Sequence, residues 1–234
     1  MTQPSPQIRT TPLEVGPLVR RAWSLCEQNY LFLLGMSLLI LIAVSFIPVV
    51  LQGPTVVGLM YCFLAIERGE SVGMETFGKG FDRFVDGLLA ALLMMLISFV
   101  SVIFMIPSGI LIAIGAASEN EVFIVLGAIV AVLLLTPVGA LLQFMTNIAF
   151  ALIVDHDVDG VEAVKLTCKA VKQNLGAFLK IGLVTIGLSI VGMLLCGVGL
   201  LLVTPLVYAL AWVAQKELFT PTEPIAEDVG DYSG

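Results

Sequence analysis

The sequence predicts an all-α protein, a polytopic bundle of about six transmembrane helices with amphipathic interfacial helices and kinks at prolines. Hydrophobic residues make up 59% of its 234 residues and charged residues only 12%, about half the charged fraction of a typical soluble domain. Four long stretches carry no charged residue, and they are 28–66, 87–118, 122–154 and 181–215. All eleven Lys and Arg residues lie between or outside these stretches, so lipid is the expected solvent for most of the chain.

The four uncharged stretches predict six spans. One spanning helix needs roughly 20 residues, and two of the stretches are long enough for two. The stretch 28–66 is long enough for two spans, with a break at Ile47-Pro48 or at Gln52-Gly53-Pro54. The stretch 181–215, extended back to Ala177, also provides two, with a break near Cys196-Gly197-Val198-Gly199. The other two uncharged stretches provide one span each.

The positions of the cations predict the orientation. They fall in the N-terminal arm, in the connectors 67–86 and 155–180, and at Lys216. With six spans, these four segments lie on one side of the membrane. Lys and Arg are retained on the cytoplasmic side, so we expect both termini in the cytosol and the chain in the inner (cytoplasmic) membrane.

The ends of the chain differ from the middle. We divide the sequence into a cytosolic arm (1–14), one transmembrane domain (15–218) and a disordered acidic cytosolic tail (219–234). The tail carries four of the acids behind the net charge of −7, together with two prolines and no apolar periodicity. An acidic balance argues against nucleic-acid binding, which needs clustered positive charge.

An amphipathic segment precedes each ascending span. In 15–26, 74–88 and 159–178 the apolar residues recur three and four positions apart, which predicts helices with one apolar face. We interpret them as helices in the cytosolic interface whose lysines reach lipid headgroups. The alternative is that they are connectors packed against the bundle. Membrane lipids are therefore expected partners.

Prolines predict kinks at four places, which are Pro54, Pro107, Pro137 and Pro205. The segments 87–117 and 122–154 would be roughly 46 and 50 Å long as straight helices, more than the about 30 Å of hydrocarbon. They must therefore kink, tilt or break. The excess, 107–137, is apolar and lies on the outer side. It either folds back toward the membrane or is covered by a membrane-protein partner.

Little in the sequence points to chemistry. The uncharged spans hold no ionisable residue of the kind that marks proton or ion paths. The single histidine, His156, stands between two aspartates and has no second histidine to complete a metal site. The four cysteines are scattered singly, and no catalytic motif is found. We therefore predict no enzyme, no catalytic or metal site and no cofactor.

One polar face is the candidate site. Gln143, Thr146 and Asn147 are spaced i, i+3, i+4 and so share one face of the fourth span. The face is either a contact for a substrate or pore, or a set of interhelical hydrogen bonds that hold the bundle together.

Several short motifs carry a family resemblance. They are Gly53-Pro54 with Gly58, Arg68-Gly69-Glu70, the run Phe77-Gly78-Lys79-Gly80-Phe81-Asp82-Arg83-Phe84 and the glycine-rich turn before Pro205. The pattern resembles uncharacterised bacterial polytopic membrane proteins related to the membrane domain attached to some glycerophosphodiester phosphodiesterases. The resemblance implies a six-helix inner-membrane bundle without catalytic residues.

The sequence leaves two functions open. The first is a non-enzymatic integral membrane protein that assists membrane organisation or a membrane-protein complex. The alternative is a small transporter of a neutral or lipid-like solute, with the polar face in its path. The oligomeric state and the identity of any partner remain open.

Overall fold

The computed structural model describes residues 7–8, 14–194 and 198–220, and nearly all of them are helical. In chain order the helices of this part are α1 (Val15–Glu27), α2 (Tyr30–Phe46), α3 (Gln52–Glu67), α4 (Met74–Gly78), α5 (Phe84–Phe99), α6 (Ile106–Ala117), α7 (Glu121–Asp155), α8 (Gly160–Gln173), α9 (Leu175–Leu194) and α10 (Val198–Leu218). Two 3₁₀ segments, Lys79–Phe81 and Val100–Met105, adjoin α4 and α5. The predicted helical architecture is confirmed.

Several of the described helices are long and apolar enough to cross a membrane. Four qualify alone, and they are α5 continued to Ile103, α7, α9 and α10. The helices α1 and α2 pass the same test only as a pair, which is bent by 95°, and they add a fifth if the two form one broken span. The fold is therefore that of a membrane-embedded helical bundle. The six-span count stays a prediction, because α2 has 17 residues and α3 only 16, at or below the shortest usual span.

The core of the bundle surrounds α3 and the second half of α7. Eleven of the 16 residues of α3 are buried, and α7 is buried without interruption over 144–154. Helix α7 contacts α3, α5, α8, α9 and α10. Aromatic pairs connect the layers, with Phe144 edge-on to Phe178 at 5.8 Å between ring centroids. Burial on every side explains why α3 has almost no amphipathic pattern.

Glycines permit two close crossings of α3. A Cβ atom at Gly80 would lie 2.5 Å from Gly58 Cα and even closer to the carbonyl oxygen of Pro54. A Cβ atom at Gly87 would lie 2.9 Å from the carbonyl carbon of Gly53. Ordinary contacts of this kind begin at about 3.4 Å. Backbone therefore packs directly on backbone where α3 meets the 3₁₀ segment Lys79–Phe81 and α5. Gly53, Gly58 and Gly80 belong to the motifs on which the family resemblance rests.

The three amphipathic segments fold differently from one another. Segment 15–26 forms α1 as predicted, with Leu18, Ala22 and Cys26 buried along one face. Segment 159–178 is divided at Asn174, whose carbonyl oxygen accepts hydrogen bonds from the next helix and so begins α9. Segment 74–88 is divided again, into α4, a 3₁₀ turn and the start of α5. The apolar stripes continue across positions where one helix ends and the next begins. The apolar periodicity does not reveal these positions.

The four prolines fall into two classes. Pro54 and Pro107 lie in the first turns of α3 and α6, where the missing N–H costs no intrahelical bond. These two residues therefore begin helices instead of kinking them. Pro137 and Pro205 lie inside α7 and α10, where each removes one backbone hydrogen bond. The predicted break at Pro107 occurs earlier, in the 3₁₀ segment Val100–Met105.

The described parts of the two chain ends pair with each other. Strands β1 (Gln7–Ile8) and β2 (Phe219–Thr220) form a two-residue antiparallel ladder, and Phe219 is buried. Residues from the predicted arm and from the first positions of the predicted tail are thus held at one end of the bundle. The rest of the tail, from 221 on, lies outside the described residues, as do Cys196 and Gly197 of the predicted break, and α10 begins within that break at Val198.

Candidate functional site

The predicted polar face of α7 is present, and its hydrogen bonds run along the helix. Gln143 Nε2 donates to Asn147 Oδ1 at 3.4 Å, and Thr146 Oγ1 donates to the carbonyl oxygen of Leu142 at 2.8 Å. Asn147 is fully buried, and within the described structure its Nδ2 atom has no hydrogen-bond partner. In that part of the chain, no hydrogen bond of these three side chains reaches another helix.

The face borders a groove that the sequence did not reveal. Gln143 and Thr146 line a cavity of about 300 Å³ together with Gln52, Ser98 and Ser101. These partners come from the start of α3, the end of α5 and the following 3₁₀ segment. The remaining lining is apolar and includes Ala91, Met94, Met95 and Leu142. Residues from three segments of the chain thus combine into one polar groove.

Local backbone geometry explains why the hydroxyls collect there. Ser98 Oγ donates to the carbonyl oxygen of Met94 at 2.8 Å, and Ser101 Oγ donates to that of Ser98. Serine side chains that bond back to their own helix weaken and bend it. The change from α5 to the 3₁₀ segment Val100–Met105 occurs at these serines, and it opens the groove beside α7.

The chemistry of the groove is neutral. Its polar lining consists of two amides and three hydroxyls, and none of the lining residues is ionisable. Such a site can hydrogen-bond a neutral polar group while its methionines contact apolar carbon. The volume lies at the lower end of small-molecule sites. An ion would find no charged ligand among these side chains.

Comparison with known proteins gives no assignment. No protein-family model, curated protein or solved structure matches the chain. The family resemblance of the short motifs therefore stays a prediction, and the functional argument depends on the side chains themselves.

A cluster of three charged side chains, Glu67, Asp155 and Lys216, lies at one end of the bundle. We call this end the charged end. Lys216 Nζ lies 2.6 Å from Asp155 Oδ1 and 3.2 Å from Glu67 Oε2. Gln215 Nε2 donates to Asp155 Oδ2 at 2.7 Å, and Trp212 Nε1 donates to Glu67 Oε2 at 3.3 Å. The cluster ties the last turns of α3, α7 and α10 together.

The sequence contained a signal for this cluster. Each of the three residues is the first charged residue after an uncharged stretch, as expected where membrane helices end. Further ion pairs lie at this end. Arg21 pairs with Glu217 at 3.1 Å, and Arg83 pairs with Asp157 at 2.8 Å. The charged connectors therefore meet at one end of the bundle, as the arrangement of cations predicts.

His156 lies beside this cluster at the end of α7. Its side chain is largely buried and not exposed to solvent. Its Nε2 atom is 3.5 Å from Asp155 Oδ2, and its ring meets Phe219 edge-on at 6.3 Å between centroids. Burial lowers the pKa of His156 below its ordinary value, and the charge of Lys216 adds to this, while Asp155 opposes it. Among the described residues, no group of three potential ligands could hold a metal ion.

Arg83 joins the connectors 67–86 and 155–180 at the charged end. Besides Asp157, it pairs with Asp86 at 3.0 Å and donates from Nη2 to the carbonyl oxygen of Val158 at 2.9 Å. Asp86 in turn accepts from the backbone N–H of Gly160 at 3.3 Å. A Cβ atom at Gly160 would lie 2.9 Å from the carbonyl carbon of Asp86. These contacts hold the start of α8 against the start of α5.

The predicted outer segment 107–137 forms a hairpin of two helices, which we call the α6–α7 hairpin. Ser108 and Gly115 of α6 and Gly127 of α7 are its buried residues in this region. A Cβ atom at Gly115 would lie 2.7 Å from the backbone nitrogen of Ile124. The two helices therefore pack closely on each other, whereas most of their large apolar side chains point outward.

Proposed function

We propose that the chain is a non-enzymatic, multi-pass integral membrane protein that assists a membrane-protein complex through its α6–α7 hairpin. The proposal includes six spans in the inner (cytoplasmic) membrane and both termini in the cytosol. α1, α4 and α8 lie in the cytosolic interface. The observation that carries it is the length and exposure of the hairpin.

Helix α7 is longer than the hydrocarbon layer when it is measured from the charged end. Helix α7 is continuous over 35 residues, which is about 52 Å at 1.5 Å per residue. A hydrocarbon layer of about 30 Å accommodates roughly 20 of these residues. Counted from Asp155, that distance ends near Thr136. Residues 121–135 and their partner α6 then extend past the hydrocarbon if α7 stands upright.

The hairpin is unsuited to water. Between Val100 and Ala149 the charged residues are Glu119 and Glu121, both at the hairpin tip. Leu133 and Val122 are 67% and 72% exposed. Exposed apolar surface of this extent marks a surface that another molecule covers. An apolar face of a membrane-protein partner fits it best, because the hairpin offers shape and apolar contact but no charge.

Site-specific photocrosslinking tests this role. A photoreactive phenylalanine analogue replaces Leu133 in the hairpin or Leu183 in α9, which are matched at 67% and 66% exposure. We expect Leu133 to give a discrete protein adduct in membranes and Leu183 to give lipid adducts. If both positions react only with lipid, the complex role is wrong. An adduct of twice the chain mass would identify a second copy of the chain as the partner.

Labelling checks the topology separately. A cysteine introduced at Asn120, at the exposed start of α7, should react with a membrane-impermeant reagent from outside. A reporter fused after Gly234 should be active in the cytosol. Labelling of position 120 only after lysis would reverse the proposed orientation.

The polar groove favours a second candidate function, a small transporter of a neutral or lipid-like solute. Gln143 is exposed to the groove, whereas Asn147 is buried behind it. The double variant Gln143→Ala, Asn147→Ala distinguishes a transport role of the polar face from a structural role. A transporter loses flux in reconstituted vesicles while its melting temperature is kept. A structural patch loses stability in detergent, and Gln143→Ala alone then has little effect.

A further inference from the structure

A groove between α5 and α8 combines an apolar floor with a row of lysines. Its volume is about 460 Å³. The apolar lining comes from both helices and consists of Leu93, Leu96, Ile97, Val161, Val164 and Cys168. The cationic lining comes from α8 alone and consists of Lys165, Lys169 and Lys172. The groove has no lining residue in the α6–α7 hairpin and shares none with the polar groove of α7, which borders another face of α5.

The three lysines are placed to act together. Spacings of four and three residues bring them to one face of α8, and Lys172 lies in its last turn, where the helix dipole favours cations. All three are exposed, and none forms an ion pair within the described residues. Glu162 is the one acidic residue on this face of α8. It lies in the first turn, and its backbone N–H donates to Asp159 Oδ1. The aliphatic parts of the lysines border the groove and leave the ammonium groups free.

The floor continues onto a surface that faces lipid. Leu89, Leu92 and Leu96 of α5 are 39%, 42% and 64% exposed, and α5 is one of the helices able to cross a membrane. Helix α8 lies at the charged end, where the bundle leaves the hydrocarbon. An occupant of the groove therefore needs an apolar part on α5 and an anionic part beside α8.

We propose that the α5–α8 groove binds an anionic phospholipid, with its phosphate among Lys165, Lys169 and Lys172 and an acyl chain on Leu93, Leu96 and Ile97. Both halves of the groove are then used. A soluble phosphate would leave the apolar floor uncovered, and a neutral lipid would leave three cations without a counter-charge. Basic pockets between membrane helices at the cytosolic side commonly bind anionic headgroups. This site does not depend on a partner at the hairpin.

Lipid binding to the purified full-length chain tests the proposal. Native mass spectrometry measures the apparent affinity for phosphatidylglycerol and, as the neutral comparison, for phosphatidylcholine. The groove variant is Lys165→Gln, Lys169→Gln, Lys172→Gln. The control variant is Arg20→Gln, Lys79→Gln, Lys180→Gln, which removes the same charge from exposed positions outside the groove. Melting temperatures of both variants confirm that they are folded.

We expect phosphatidylglycerol to bind the groove variant about tenfold more weakly or worse, because each lysine near an anionic surface strengthens binding several-fold. The control variant should change by less than about twofold, and phosphatidylcholine should not distinguish the proteins. Cys168→Trp fills the groove without changing its charge, and it should also weaken phosphatidylglycerol binding. Equal losses in the groove and control variants would overturn the proposal, since net charge alone then explains binding.

The acidic C-terminal tail is the competing occupant. A chain ending at Thr220 lacks all four acids of the tail. If the lipid occupies the groove, truncation changes phosphatidylglycerol affinity by less than about twofold. If the full chain binds phosphatidylglycerol no better than phosphatidylcholine and truncation creates the preference, the tail occupies the lysines and the lipid site is wrong. A crosslinking failure at the hairpin would leave all of these outcomes unaffected.

Discussion

Substituting Gly80 by alanine should loosen the bundle, whereas the same change at Gly78 should not. The two glycines are two residues apart, and neither has a positive φ in the described structure. A Cβ atom at Gly80 lies 2.5 Å from Gly58 Cα and closer to the oxygen of Pro54, while one at Gly78 meets nothing within 4 Å. The pair therefore isolates the close crossing from the general effect of removing a glycine.

The magnitude follows from the overlap. Ordinary contact begins near 3.4 Å, so the new methyl group must gain about 0.9 Å against Gly58 Cα at 2.5 Å, and more against the carbonyl oxygen of Pro54. Helix α3 is buried on nearly every side and cannot yield without disturbing its other contacts. Overpacking of this kind costs about 1–3 kcal/mol, and we expect the upper end. For a chain of this size, about 3 kcal/mol lowers the melting temperature by roughly 6–12 °C.

The buried thiols of the protein provide the assay. Cys26 and Cys62 are fully buried, so a thiol-reactive fluorophore in detergent reports their exposure on heating. A Cys168→Ser background removes a partly exposed thiol. Gly78→Ala should melt within about 3 °C of the parent, since alanine changes helix stability by at most about 1 kcal/mol. If Gly80→Ala melts together with Gly78→Ala, α3 and the 3₁₀ segment are not packed backbone to backbone.

Two further predictions concern the charged end. Lys216→Met leaves the carboxylates of Asp155 and Glu67 without their shared cation and should cost about 2 kcal/mol, whereas Lys180→Met, at an exposed position, should cost less than about 0.5 kcal/mol; equal melting temperatures would contradict the ion cluster. Burial holds the folded pKa of His156 below the unfolded value near 6.5, so the unfolded state takes up the proton first and stability should fall as pH drops from 7.5 to 5.5. In His156→Gln this fall should be smaller, and an unchanged pH slope would refute the contribution of the histidine.

The uncharged stretches predicted the helical architecture because charge is so costly in lipid that its absence marks the membrane helices. The same rule predicted that cations gather at one end, which the contacts of Arg21, Arg83 and Lys216 illustrate. It could not fix the helix ends. Pro48 and Pro54 indicated two possible breaks, and the structure places the turn at 47–51, between the end of α2 at Phe46 and the start of α3 at Gln52.

The breaks were less predictable because they depend on single polar groups. Asn174 ends α8 and begins α9 within one uninterrupted apolar stripe. The serines at 98 and 101 accompany the unwinding of α5, although proline at 107 is the stronger signal in the sequence. At Pro107 the helix was already beginning again, so the proline fits the first turn without cost.

The candidate site was predicted only as one face of one helix. Spacing places Gln143, Thr146 and Asn147 together, since i, i+3 and i+4 share a helix face. The partners Gln52 and Ser101 are 91 and 42 positions away from Gln143 in the sequence. Nothing in a single sequence relates them to α7. The groove arises from the packing of α3, α5 and α7, which periodicity does not determine.

The burial of α3 has a consequence for biosynthesis. This helix is short, opens with Gln52, Gly53 and Pro54, and contributes little lipid-facing surface of its own. Most of its packing partners, α4, α5 and α7 among them, follow it in the chain and leave the ribosome after it, whereas α2 precedes it. We expect α3 to enter the bilayer only weakly when it first emerges. It should remain beside the insertion machinery until α5 emerges and packs against it at the glycine crossing.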